Sequence, residues 1–295
     1  MADEKEIDAA TGVETTGHEW DGIRELDNPM PRWWLWTFYA TIAFAAVYTV
    51  LYPAWPLVNG ATTGLLGWSS RADLRTEISA VDMLNVDRET AIQTTEVSKI
   101  AASPELRQYA VAAGRAAFKV NCVQCHGSGA QGGPGYPNLN DDAWIWGGTV
   151  DDIYLSIQHG IRYGADDETR YSEMPAFGRD GILDRTQIAD VAWYVRQLSG
   201  QEADAAGAER GATLYAENCA ACHGEAGEGM REMGAPRLND AIWLYGGSQA
   251  EIAAQVVAPR HGVMPGWEDR LGEGTVKELA VYVHSLGGGE QAATQ

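Results

Sequence analysis

All four cysteines of this 295-residue chain fall in two near-copies of one heptapeptide, Asn-Cys-Val-Gln-Cys-His-Gly at 121–127 and Asn-Cys-Ala-Ala-Cys-His-Gly at 218–224. Cys-x-x-Cys-His reads as a c-type haem attachment site. Each thiol adds to one vinyl group of a porphyrin, so the two sulfurs must reach two edges of one ring. The histidine on the same helical turn then turns its imidazole toward the iron. This assigns Cys122 and Cys125 to the thioethers of one haem c, and Cys219 and Cys222 to those of a second. His126 and His223 become the proximal ligands. A zinc centre would join the two knuckles through cysteine alone and has no use for a histidine after each. A thioredoxin-like redox pair would need one motif near a βαβ pattern, and no such pattern is visible.

The motifs sit in an internal repeat. GRAAFKVNC (114–122) precedes the first and GATLYAENC (211–219) the second, each with an aromatic, Phe118 or Tyr215, about one helical turn before the cysteine. PNLNDDAWIWGG (137–148) and PRLNDAIWLYGG (236–247) follow, and the units close with VAWYVRQLSG (191–200) and LAVYVHSLGG (279–288). The closing segments carry apolar residues at helical spacing, stopped by Gly200 and Gly287. Each unit therefore reads as helix, haem motif, glycine-rich loop, short helix, methionine loop and closing helix. Across 104–288 this order resembles class I c-type cytochrome domains. That resemblance implies that the first and last helices of each unit pack together, at Gly114 and at Gly211.

Met174-Pro175 and Met264-Pro265 hold equivalent places in the two units. A thioether on the distal face gives His/Met ligation, which favours reduced iron, and the proline stiffens the loop that presents it. Each methionine is expected to face the histidine of its own unit, Met174 with His126 and Met264 with His223. Met230 and Met233 lie too near His223 for the chain to wrap the ring edge. His159 and His261, each in a His-Gly pair, offer bis-histidine ligation as an alternative to a surface or propionate-side place. His284 and His18 read as solvent or packing residues. With both irons closed by His and Met, the chain carries electrons and has no catalytic centre of its own. No Ser/His/Asp set, phosphate-binding glycine loop or nucleic-acid patch competes with that reading.

No charged residue occurs from Trp33 to Ser70, and the stretch 31–58 is long enough for a transmembrane helix, which needs ~20 apolar residues. Trp33, Trp34 and Trp36 mark one interface and Tyr48, Tyr52 and Trp55 the other. About thirty mostly polar residues precede it, so it reads as an uncleaved anchor rather than a signal peptide. Arg24 and Arg32 before the span nearly balance Arg71 and Arg75 after it, so charge barely sets its orientation.

The entry to the span, DGIRELDNPMPRWWLWTFY (21–39), followed by two c-haem units, resembles the dihaem subunit of cbb3-type cytochrome c oxidases. The fold implied is mainly α: one N-terminal transmembrane helix followed by two class I cytochrome c domains. The organisation expected is an N-terminal tail (1–30), the span (31–58), a partly helical connector (59–103), cytochrome c domains at 104–200 and 201–289, and a C-terminal tail (290–295). Ser103-Pro104 looks like the N-cap and first residue of the first domain. The resemblance implies two covalent haem c groups, with His126, Met174, His223 and Met264 as axial ligands. It implies a catalytic haem–copper subunit and a monohaem c subunit as partners, and a donor cytochrome c. It places the chain in the bacterial inner membrane, with the haem domains periplasmic and the N-terminus cytoplasmic. A stand-alone membrane-tethered dihaem shuttle and a dihaem peroxidase are the alternatives.

Asp and Glu total 41 against 21 Lys and Arg, a net charge of −20. Such acidity either keeps a surface solvated or steers a basic donor toward a haem edge. Asp166, Asp167 and Glu168, in a segment found only in the first unit, are nominated as part of a docking rim.

Overall fold

The computed structural model describes residues 5–291; the outermost residues of the two expected tails lie outside the described residues. The chain forms two compact units, residues 1–84 and 85–295.

In the first unit, strands β1 (Thr15–Trp20) and β2 (Ile23–Leu26) pair antiparallel, Trp20 opposite Ile23. Asp21 and Gly22 both take positive φ, 49° and 84°, which is what a two-residue turn between right-twisted strands demands. The tail expected at 1–30 thus contains a hairpin, and Asp-Gly was its signal. Helix α1 spans Arg32–Leu51 with Pro31 as its N-cap. At 1.5 Å per residue its 20 residues extend ~30 Å, the thickness of a hydrocarbon core. It buries none of its residues, as befits a helix apolar all round. It ends before Pro53, so the helix is shorter than the 31–58 expected. A small hairpin of β3 (Pro56–Leu57) and β4 (Gly60–Ala61) follows. The hydroxyls of Thr37, Thr41 and Thr49 donate to the Trp33, Phe38 and Ala46 carbonyls. These threonines are satisfied within the helix and do not by themselves require a partner helix.

Helix α2 (Ser70–Thr94) runs across the boundary between the units, and α3 (Val97–Ala102) follows. Ile92, Val97 and Ile100 are buried in the first core of the second unit, so the end of the connector belongs to that core. Then come α4 (Pro104–Asn121), α5 (Val123–His126), α6 (Val150–His159) and α7 (Arg185–Leu198). The second repeat supplies α8 (Ala205–Asn218), α9 (Ala220–His223), α10 (Gln249–Val257), α11 (Glu268–Leu271) and α12 (Glu273–His284). Caps fix several starts: Thr149 accepts from the Asp152 N–H, and Asp184/Gln187 and Ser248/Glu251 form capping boxes. Ser103 caps α4 by position, with Pro104 in its first turn, but makes no side-chain cap bond.

The helices do not pair within repeats as expected. Helix α4 packs on α12, and α7 packs on α8. A Cβ on Gly114 would run into the Glu278 carbonyl, with that carbon at 2.6 Å and the Tyr282 Cβ at 2.8 Å. A Cβ on Gly211 would run into the Asp190 carbonyl, with its carbon at 2.6 Å and the Tyr194 Cβ at 2.9 Å. The glycines do mark close crossings, but each crossing is between repeats. The reason is connectivity. Only residues 199–204 separate α7 from α8, and so short a link makes consecutive helices antiparallel neighbours. Helix α12 is then left for α4. One core gathers Phe118, Ile153, Ile157, Val276, Leu279 and Val283; the other gathers Phe177, Ile188, Val191, Tyr215, Ile252 and Val256. Each such side chain contributes roughly 1.5–3 kcal/mol on full burial.

Candidate haem-binding sites

Each Cys-x-x-Cys-His motif forms one helical turn, α5 or α9, ended by Gly127 or Gly224 at φ 80° and 79°. That turn brings the second cysteine and the histidine to one wall of a cavity. The first cavity, partly open to solvent, is lined by Cys122, Cys125 and His126 and also by Met264, Pro265 and Trp267. The second, also partly open, is lined by Cys219, Cys222 and His223 together with Met174 and Pro175. The two cysteine knuckles thus serve separate cavities. Among the described residues no cluster of three or more His, Cys, Asp or Glu side chains is placed to hold a metal ion. The shared zinc centre is not assembled.

His126 and His223 are prepared as neutral bases. Nδ1 of His126 lies 3.3 Å from the Pro137 carbonyl, and Nδ1 of His223 lies 2.9 Å from that of Pro236. A carbonyl accepts only, so Nδ1 carries the proton and Nε2 is left as the donor to a metal. Burial lowers the pKa of both imidazoles, opposed by these hydrogen bonds. Burial, aided by the neighbouring cysteine, pushes the Cys122 and Cys219 thiols up to about 11. That is the reverse of what a thiolate ligand or redox nucleophile requires.

The methionines reach the opposite repeat because their loops are tied there. Ile161 and Met264 exchange both backbone hydrogen bonds, at 2.8 and 3.0 Å, and the Trp267 N–H donates to the Ile157 carbonyl at 3.0 Å. These bonds hold the Met264 loop against the end of α6. The Gly178 and Arg179 N–H groups donate to the Val256 and Val257 carbonyls, which holds the Met174 loop against the end of α10. Met174 therefore faces the cavity of His223, and Met264 that of His126. The within-repeat pairing expected from the sequence is not what the fold brings together.

The other candidates are also placed. His159 sets Nδ1 3.0 Å from Asp166 and Nε2 3.4 Å from Glu168, so both of its nitrogens face carboxylates. Two of the three acids nominated for a docking rim are thereby turned onto it. His261 lines the second cavity, where its Nε2 accepts the Met174 backbone N–H at 3.1 Å. His284 donates to the Glu290 carbonyl at 2.8 Å, a packing role. Met233 also lines the second cavity.

Three residues went unnoticed in the sequence. Trp144 and Trp243 are equivalent in the repeats. Trp144 Nε1 donates to the Gly288 carbonyl at 2.6 Å, whereas Trp243 Nε1 is buried in the cavity wall without a partner. A buried orphan donor costs ~1–3 kcal/mol unless something accepts from it, and a haem propionate is such an acceptor. With a neutral imidazole, a cysteine pair and a methionine thioether lining each cavity, the residues fit haem c. Arg162 is the third, and it lines both cavities.

Three family models match the chain. Residues 12–59 match the N-terminal domain of cytochrome oxidase-cbb3, FixP; residues 111–199 match cytochrome c; and residues 206–283 match cytochrome c oxidase, cbb3-type, subunit III. The chain is 59% identical to the cbb3-type cytochrome c oxidase subunit CcoP of Cereibacter sphaeroides, over 94% of this chain and 95% of that protein. It is 54% identical to the subunit FixP of Sinorhizobium medicae, over 98% of this chain and all of that protein. It is 49% identical to FixP of Bradyrhizobium diazoefficiens, over 98% and 100%.

Proposed function

The chain belongs to the family of cbb3-type cytochrome c oxidase subunits CcoP and FixP, and from that premise we propose that it carries two haem c groups and relays electrons between a donor cytochrome c and the oxidase core. It is a membrane-anchored electron-transfer subunit of the oxidase, built on cytochrome c domains. Electrons enter from the donor and leave for the monohaem subunit, which serves the oxygen-reducing haem–copper subunit. The haem domains face the periplasm and the N-terminus the cytoplasm.

The observation that supports this reading is that each cavity is lined by one Cys-x-x-Cys-His histidine and by a methionine from the other repeat. The axial pairs we assign are His126 with Met264, and Met174 with His223. The cysteines Cys122, Cys125, Cys219 and Cys222 provide the thioethers. A haem so held supplies a one-electron iron couple whose potential the axial thioether raises. The protein's part is positional. Pro137 and Pro236 orient the imidazoles, Pro175 and Pro265 stiffen the methionine loops, and the apolar cavity walls exclude water. A histidine and a methionine lining each cavity would supply both ligands of a haem iron bound there, which supports electron transfer over peroxide chemistry.

The test uses chains that keep one attachment site. With Cys219→Ser and Cys222→Ser, Met264→His should abolish the near-infrared charge-transfer band of Met-ligated ferric haem, and Met174→His should leave it. With Cys122→Ser and Cys125→Ser the two methionines should exchange roles. The opposite result restores within-repeat ligation. A full-length chain that binds fewer than two haems by pyridine haemochrome sinks the dihaem reading.

A further inference from the structure

Three residues line both haem cavities: Ile145, Leu244 and Arg162. The first two are equivalent aliphatics of the two repeats. The third is charged, has no counterpart in the second repeat, and opens the segment RYGADDETRYSE (162–173). Its backbone is unusual, with φ at 52°. The left-handed region costs a long side chain roughly 1–2 kcal/mol, and such strain persists where surrounding structure enforces it.

The enforcement is visible. Ile161, just before it, is locked to Met264 by paired backbone bonds. The guanidinium donates from Nε to the Gly262 carbonyl at 2.8 Å and from Nη1 to the Ser172 carbonyl at 3.1 Å. One side chain therefore bridges the loop that presents Met264 and the loop that presents Met174. Both acceptors are neutral. Among the described residues no carboxylate comes within ion-pair distance of Arg162, although Glu173 acts on it from farther away. The side chain is half-buried. A cation withdrawn from water without a counter-charge is costly, and a guanidinium matches a carboxylate bidentately.

Resting on the dihaem reading above, we propose that Arg162 is a cofactor-binding residue shared by the two sites: its Nη2 edge takes a haem propionate, and its charge raises the reduction potential of both haems. The sign follows from charge. Reduction lowers the positive charge of each iron by one, so a fixed cation between the two sites favours the reduced state of both. Ile145 and Leu244, which line the same two cavities, add apolar surface there, so the field is less screened than in water.

The measurement is a potentiometric titration of the full-length chain, purified in detergent apart from the monohaem subunit, with the near-infrared bands and pyridine haemochrome recorded on the same samples. In Arg162→Gln, both haems should become about tenfold easier to oxidise at a fixed potential, a fall of about 59 mV for a one-electron couple, with both methionine bands kept. Arg162→Lys keeps the charge and loses the planar fork. It should lower both potentials by a smaller amount, between about two- and fivefold. Unmoved potentials in Arg162→Gln, a fall as large in Arg162→Lys as in Arg162→Gln, or a fall in one haem alone, overturn the assignment. Loss of a methionine band in Arg162→Gln also overturns it, because the ties to Gly262 and Ser172 would then be the whole role. A haem content below two in the unaltered chain refutes the dihaem reading itself, whereas two haems with unmoved potentials refute only Arg162.

Discussion

Gly211→Ala probes the cross-repeat fold at its tightest point. The new Cβ would sit 2.6 Å from the Asp190 carbonyl carbon and 2.9 Å from the Tyr194 Cβ. Against an ordinary contact of 3.4 Å the first is short by about 0.8 Å. The obstacle is backbone, and it cannot yield easily. Asp190 is buried, and the Arg210 guanidinium grips its carboxylate with two bonds, 2.8 and 2.6 Å, that tie α7 to α8 near the same crossing. Overpacking costs ~1–3 kcal/mol, and a rigid neighbour argues for the upper end. Alanine returns ~1 kcal/mol of helix propensity, so the net loss is about 2 kcal/mol. A cooperative unit of this size should melt ~4–8 °C lower. The assay is thermal unfolding followed by far-ultraviolet circular dichroism and Soret absorbance, with Gly164→Ala as control, since nothing lies within 4 Å of a Cβ there. Double-mutant cycles then assign the partner. Gly211→Ala should couple to Tyr194→Ala by more than ~0.5 kcal/mol and add simply to Tyr282→Ala. Coupling to Tyr282 instead, or a stabilised Gly211→Ala, would refute the α7–α8 crossing.

Three further outcomes are expected. Burial, with the Glu89 charge adding, pushes the Glu278 carboxyl up to about 7. A raised acid holds its proton in the folded chain while the unfolded chain releases it, so stability falls as pH rises from about 4.5 to about 7 and levels off above. Glu278→Gln should remove that slope in pH-resolved melts and gain about 1–2 kcal/mol at pH 8, discounted from ~3 because the carboxyl is partly solvated; an unchanged slope refutes it. Protease added to right-side-out spheroplasts should digest the haem domains and spare the N-terminal hairpin, and the reverse pattern would invert the topology. Electron transfer from a basic cytochrome c should slow steeply as the Debye length falls from ~30 Å at 0.01 M to ~8 Å at 0.15 M salt. Asp167→Asn with Glu168→Gln should flatten that fall, leaving Asp166 to hold His159; a salt-independent rate returns the acidity to simple solvation.

Much of this chain is written locally. The haem motifs are legible because thioether attachment needs two thiols and an imidazole within one turn, and the structure delivers that turn at Val123–His126 and Ala220–His223. Helix α1 is legible from an uncharged apolar run, and α7 and α12 from apolar spacing, because each depends on neighbours a few residues away. The Asp21-Gly22 hairpin was equally local. The partner of each closing helix was not. Tyr194 and Tyr282 meet Gly211 and Gly114 in the same way, so either closing helix suits either opening helix, and a repeated sequence holds no preference between them. The short link at 199–204 breaks that symmetry by folding α7 onto α8. The methionine loops follow their helices across, which sets Met174 opposite His223 and Met264 opposite His126. Arg162 owes its place between the cavities to the same crossing, since only in the folded chain do Gly262 and Ser172 come within reach of one guanidinium. Residue types and their spacing determined which groups are suited to hold haem; chain connectivity, acting through tertiary packing, decided which of them line one cavity.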